Sequence, residues 1–78
     1  MKLQIISAQE VLYTGEVTSV TMPGAMGEFT VLRNRASLLA ALTAGTVRYT
    51  DEAGAENSAQ ITGGVADVDN NIISVCVY

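Results

Sequence analysis

The side chains able to do chemistry are few here. The 78 residues contain no histidine and one cysteine, Cys76. A histidine-relayed nucleophile is therefore impossible, and so is a disulfide within the chain. A zinc or haem site lacks its ligand set. Acidic residues cluster twice, at Asp51, Glu52 and Glu56 and again at Asp67 and Asp69. Paired carboxylates bind calcium or exchange protons, but this spacing matches no twelve-residue calcium loop. Both groups lie at expected hairpin ends, where Asp, Asn and Gly make turns, so they read as solvated turns. Gly24-Ala25-Met26-Gly27-Glu28-Phe29 is rich in glycine. A phosphate cradle would add a helix and usually a lysine; neither follows, and a turn with positive φ is the simpler reading. No metal, cofactor or catalytic residue is assigned, and the chain does not read as an enzyme.

The remaining polar and aromatic groups narrow the partners. Two of only four basic residues flank a turn residue in Arg33-Asn34-Arg35. That loop is either solvated charge or a contact for an anionic or polar surface, and composition leaves both open. Tyr13, Tyr49 and Tyr78 are too dispersed to form a stacking platform for bases. Cys76 sits in the most apolar segment and reads as a small buried hydrophobe, since a reactive thiolate needs exposure and a nearby cation. The net charge of −4 argues against nucleic acid and anionic lipid, which both need a basic stripe. No apolar run approaches the ~18 residues of a membrane span. MKLQIISAQE does not read as a signal peptide, so the chain is expected to stay in the compartment where it is made.

The elements that must carry these groups are strands. Valine, threonine and isoleucine supply 22 of 78 residues, and β-branched side chains suit a pleated surface. Turn signals recur at Thr14-Gly15, Pro23-Gly24, Arg33-Asn34, Ala44-Gly45, Asp51 to Gly54, Gly63-Gly64 and Asp69-Asn70-Asn71. Such short spacing predicts an all-β sandwich or barrel in a single domain, residues 1–78. Leu3 and Ile5, Phe29 and Val31, Val47 and Tyr49, and Ala59 and Ile61 alternate with polar neighbours, one face inward and one in water. In the last run Ile73, Val75 and Val77 make one face. Ile72, Cys76 and Tyr78 make an apolar second face, so this strand is expected to be central or covered on both sides. That second face is a candidate partner surface. Val17 and Val20 are three apart, which predicts a β-bulge in a long strand bending between sheets. Ser37 to Gly45 fits a capped helical turn and a strand equally well.

Several pieces occur in a fixed order: Val11-Leu12-Tyr13-Thr14-Gly15-Glu16-Val17-Thr18-Ser19-Val20-Thr21-Met22-Pro23-Gly24, then Gly27-Glu28-Phe29-Thr30-Val31-Leu32. They continue with Leu38-Leu39-Ala40-Ala41-Leu42, Gly45-Thr46-Val47-Arg48, Gly63-Gly64-Val65, Val68-Asp69-Asn70-Asn71 and Ile72 to Val77. The order of these pieces resembles the N-terminal β-sandwich of the ε subunit family of rotary F-type ATP synthases. Two departures stand out. Arg33-Asn34-Arg35-Ala36-Ser37-Leu38 replaces the family's usual Pro-Gly-His-Ala-Pro-Leu. The C-terminal helical hairpin of many members is not in this sequence, so neither its inhibition of hydrolysis nor its ATP binding is expected of this chain.

The resemblance implies a sandwich of two mostly antiparallel sheets, with about 8–10 short strands and a strand at Leu38–Leu42. It implies a non-catalytic rotor subunit of a proton-translocating enzyme, without a cofactor. Its partners would be the γ subunit and the membrane c ring, at the cytoplasmic face of an energy-transducing membrane and without insertion into it. It also places a c-ring contact at Glu28 and at Arg35, which stands at the family's loop histidine. The alternative function is a small sandwich module that binds a sugar or a peptide.

Overall fold

The computed structural model describes residues 1–78. Eight strands and no helix run through it: β1 Lys2–Ile6, β2 Val11–Gly24, β3 Gly27–Leu32, β4 Leu38–Leu42, β5 Gly45–Asp51, β6 Glu56–Ile61, β7 Gly64–Asp69 and β8 Ile72–Val77. With no helix, no helix is long and apolar enough to cross a membrane. The ambiguous Leu38–Leu42 segment is a strand, because its backbone pairs along its whole length with β7, from Leu38↔Val68 to Leu42↔Gly64. That ladder outweighs a short helix, which is marginal in water.

Strand β2 belongs to two layers. Its first half pairs β1, and that layer continues through β8 and β7 to β4. Its second half lies between β3 and β5, and β6 completes that layer. Hydrogen bonding is thus continuous from one layer to the other. The β1–β8 ladder is parallel, and every other ladder is antiparallel. The bulge expected between Val17 and Val20 is present. Val17 pairs Asp51 and Ser19 pairs Thr50, so the register shifts there. Thr18 is the extra residue, and both valines reach zero exposure.

Sixteen apolar residues form one buried cluster, and no polar or charged residue is buried. Leu3, Ile5, Val31, Val47, Ile73 and Val75 sit in it as their alternation requires. At ~25 cal/mol per Å² of apolar area, this burial is the main favourable term.

Three sequence expectations are corrected. Thr14-Gly15 is not a turn; it lies inside β2. A Cβ at Gly15 would fall 2.5 Å from Tyr13 Oη and 2.9 Å from its Cζ, so any larger residue would displace the Tyr13 ring. Tyr13 and Tyr49 are not dispersed. Their ring centroids are 4.4 Å apart with planes tilted by 40°, because the two strands holding them both join the core. Cys76 is exposed, not buried. Strand β8 is central in hydrogen bonding, between β1 and β7, yet only its Ile73, Val75 and Val77 face meets the other layer. Pattern alone does not distinguish a strand flanked on both edges from one covered on both faces.

Candidate functional site

Strands β3 and β4 bound an open end of the sandwich. The hairpin between β2 and β3 turns through Ala25 and Met26, with Gly27 at φ 123° as the glycine reading of this loop requires. Its tip is tied to β4 by a bond from Ala25 N–H to Ala41 O at 2.9 Å and one from Thr43 N–H to Pro23 O at 2.8 Å. Between that tip, β3 and β4 lies a cleft of about 620 Å³. Met26, Phe29, Leu38 and Leu39 supply much of its apolar wall, and Glu28 and Arg35 supply its charges. Met26 is fully exposed and Leu39 is 72% exposed.

The two charged residues are differently engaged. Glu28 Oε1 is 3.4 Å from Arg48 Nη2, both side chains more than half exposed. Such a pair contributes about 0–1 kcal/mol and exchanges readily. Arg35 Nη1 donates to the Thr30 carbonyl at 3.2 Å, and it pairs with no carboxylate of this chain.

Its loop is braced from across the molecule. Asn34 takes a left-handed φ of 65°, its N–H donates to Asn71 Oδ1 at 2.7 Å, and Asn71 Nδ2 donates to Asn34 Oδ1 at 3.2 Å. Ser37 Oγ donates to Asp69 Oδ1 at 2.6 Å. Asn71 and Asp69 were legible only as turn formers. Their service to the Arg33–Ser37 loop comes from strand order, which places the β7–β8 turn beside it. In the other acidic cluster Asp51 makes a turn: its Oδ1 accepts from Ala53 N–H and Ala55 N–H, each at 2.9 Å. Asp67, expected at a hairpin end, lies instead inside β7, paired with Leu39 and Ser74. No three cysteine or acidic side chains meet closely enough to hold a metal ion.

The second candidate surface is the outer face of the β4–β7–β8–β1–β2 layer. Ile72 and Cys76 lie on it, both exposed. Tyr78 follows β8, is 86% exposed, and bonds through its N–H to Gly63 O at 3.3 Å. Register sets a row across this face: Ala41↔Val65, Val65↔Cys76 and Cys76↔Ile6. It is apolar along four strands. The Glu28–Arg35 cleft and the Ile72–Cys76 face meet at Ala41, which lines the cleft and ends the apolar row.

A family model described as the β-sandwich domain of the ATP synthase delta/epsilon chain matches residues 1–78. The chain belongs to this ATP synthase delta/epsilon family. It is an epsilon-type member: the curated relatives it matches are ATP synthase epsilon chains. Among curated relatives it is 44% identical over 70 residues to the ATP synthase epsilon chain of Chlorobium limicola, covering 90% of this chain and 80% of that one. It is 40% identical over 77 residues to the epsilon chain of Sulfurimonas denitrificans, covering 99% of this chain and 59% of that one. Solved structures agree in fold. A chain in the Euglena gracilis mitochondrial ATP synthase assembly of OSCP, F1 and c-ring superposes with TM-score 0.89 at 23% identity, covering 96% of this chain and 48% of that one. A chain in the Tetrahymena thermophila mitochondrial ATP synthase central stalk and c-ring gives 0.81 at 13% identity, covering 99% of this chain and 62% of that one. The sugar- or peptide-binding module gives way to this family.

Proposed function

We propose that this sandwich, as one domain spanning residues 1–78, links the γ subunit to the c ring and carries torque between them. It would work as a peripheral subunit at the cytoplasmic face of the energy-transducing membrane, in an enzyme coupled to proton flow. The observation that carries the reading is the convergence of Glu28 and Arg35, seven residues apart in sequence, on one open end of an epsilon-type fold. There the ring contact would be a carboxylate and a permanent cation meeting polar loops. The γ contact would fall on the outer face bearing Ile72, Cys76 and Tyr78, whose exposed apolar area suits a partner surface. A rigid body suits the mechanical role: the strand pairings and the buried cluster leave few ways to deform without breaking ladder bonds.

The test is reconstitution of the whole enzyme with a Glu28→Ala, Arg35→Ala double variant. The expected result is weakened attachment of the soluble head to the membrane sector and reduced proton-driven synthesis. Unchanged attachment and synthesis would remove the ring assignment. Failure of this chain to co-purify with γ would remove the other half.

A further inference from the structure

Every residue from Arg33 to Ser37 is exposed. No buried side chain anchors this loop, so its shape depends on the bonds it makes. Arg33 Nη2 is 3.9 Å from Glu52 Oε1 in the β5–β6 turn, with both side chains more than half exposed. A pair so long and so wet fixes little. The closer ties go to the β7–β8 turn. Asn34 exchanges two bonds with Asn71, at 2.7 and 3.2 Å, and Ser37 Oγ donates to Asp69 Oδ1 at 2.6 Å. Arg35 stands between the two tied residues. Its side chain turns back to the Thr30 carbonyl and lines the cleft.

The turn that holds the loop is itself firmly held. Asn70 and Asn71 are both left-handed, at φ 51° and 61°, the hairpin geometry whose twist matches the flanking strands. Val68 and Ile73 pair across that hairpin and are buried. The Asn71 carbonyl accepts from Lys2 N–H at 2.9 Å, which ties the turn to β1 as well. An exposed loop is thus fastened to a turn rooted in the core.

We infer that Asn71 and Asp69 are positioning residues for Arg35. Acting through Asn34 and Ser37, they hold the loop so that the guanidinium already stands at the cleft when a partner arrives. Neither residue lines the cleft. The inference rests on the proposed ring contact of Arg35 and adds residues of another hairpin that serve it. The physical gain is preorganisation. Arginine loses much rotamer freedom on binding, and a loop ordered beforehand leaves less to lose. Asn70 supplies an internal comparison, because it shares the turn and the left-handed backbone but makes no side-chain bond to the loop.

The experiment measures the chain free and then with purified c ring in detergent. In the free chain, nitrogen-15 relaxation at the Arg35 Nε–H is expected to report a looser guanidinium in Asn71→Gly and in Asp69→Ala. Asn70→Gly is expected to leave it unchanged, although it makes the same substitution in the same turn. Glycine keeps the positive φ, and unaltered exchange of the β8 core amides establishes that each variant folds. With the ring, Asn71→Gly is expected to weaken association by roughly fivefold to tenfold, the scale of ordering one or two side chains. That loss is expected to vanish in an Arg35→Ala background, as a double-mutant cycle requires if Asn71 acts through Arg35. Equal Arg35 mobility in the unaltered chain and in Asn71→Gly overturns the positioning role. So does a loss of ring association that persists undiminished without Arg35, or one matched by Asn70→Gly. A free chain that loosens as expected but never binds the ring supports the brace on Arg35 and overturns the ring contact alone.

Discussion

Asn34 and Asn71 hold each other across 37 residues of sequence. The Asn34 N–H donates to Asn71 Oδ1 at 2.7 Å, and Asn71 Nδ2 returns a bond to Asn34 Oδ1 at 3.2 Å. Both residues are left-handed, at φ 65° and 61°. Asparagine is among the few non-glycine residues that adopt this conformation readily. The clasp fixes the loop carrying Arg35 to the turn between β7 and β8.

Asn71→Ala therefore loses twice. Alanine at positive φ costs about 1–2 kcal/mol, and each lost bond costs about 0.5–1.5 kcal/mol. Asn71→Gly keeps the conformation and loses only the bonds. Urea unfolding is expected to rank the unaltered chain above Asn71→Gly, and Asn71→Gly above Asn71→Ala. Equal midpoints for all three would show that the clasp contributes nothing.

Val75 is fully buried on the core face of a central strand. Val75→Ala removes two methylene equivalents, about 1.5 kcal/mol at ~0.8 kcal/mol each before any cavity term. With a urea slope of about 1 kcal/mol/M for so small a domain, the midpoint should fall by about 1.5 M or more. An unmoved midpoint would place Val75 outside the core.

Burial raises the Tyr49 phenol above its ordinary pKa of 10.0, and the neighbouring Tyr13 adds to the rise. The folded state therefore holds the Tyr49 proton more tightly than the unfolded state does. This contribution is fully present below about pH 10, the unfolded value, and is lost as pH rises through the folded pKa. In absorbance titration a late phase is expected for Tyr49, with Tyr49→Phe removing it and flattening the alkaline loss of stability. A late phase that survives in Tyr49→Phe would contradict it.

Arginine keeps its charge across the range in which histidine loses it. If Arg35 contacts the ring, association measured from pH 6 to pH 8 should be flat for the unaltered chain. Arg35→His should weaken it as pH rises. Parallel pH profiles for the two proteins would detach Arg35 from the contact.

Much of this fold could be read from local sequence. The two-residue alternation in Leu3–Ile5, Val47–Tyr49 and Ile73–Val77 places side chains on opposite faces by covalent geometry alone, and those residues are the core. The three-residue step from Val17 to Val20 predicted the bulge, because only an extra residue keeps both inside. The absence of histidine and the single cysteine removed whole classes of chemistry by composition. Tertiary structure decided what depends on which strands become neighbours. It brought Tyr13 against Tyr49, placed Asn71 beside Asn34, and tied the β2–β3 tip to β4 through Ala25 and Ala41. It also put Cys76 on an outer face, since hydrogen bonding along a strand's edges and burial of its faces are independent properties. Strand periodicity fixes which side chains share a face; only the order of strands fixes what that face meets.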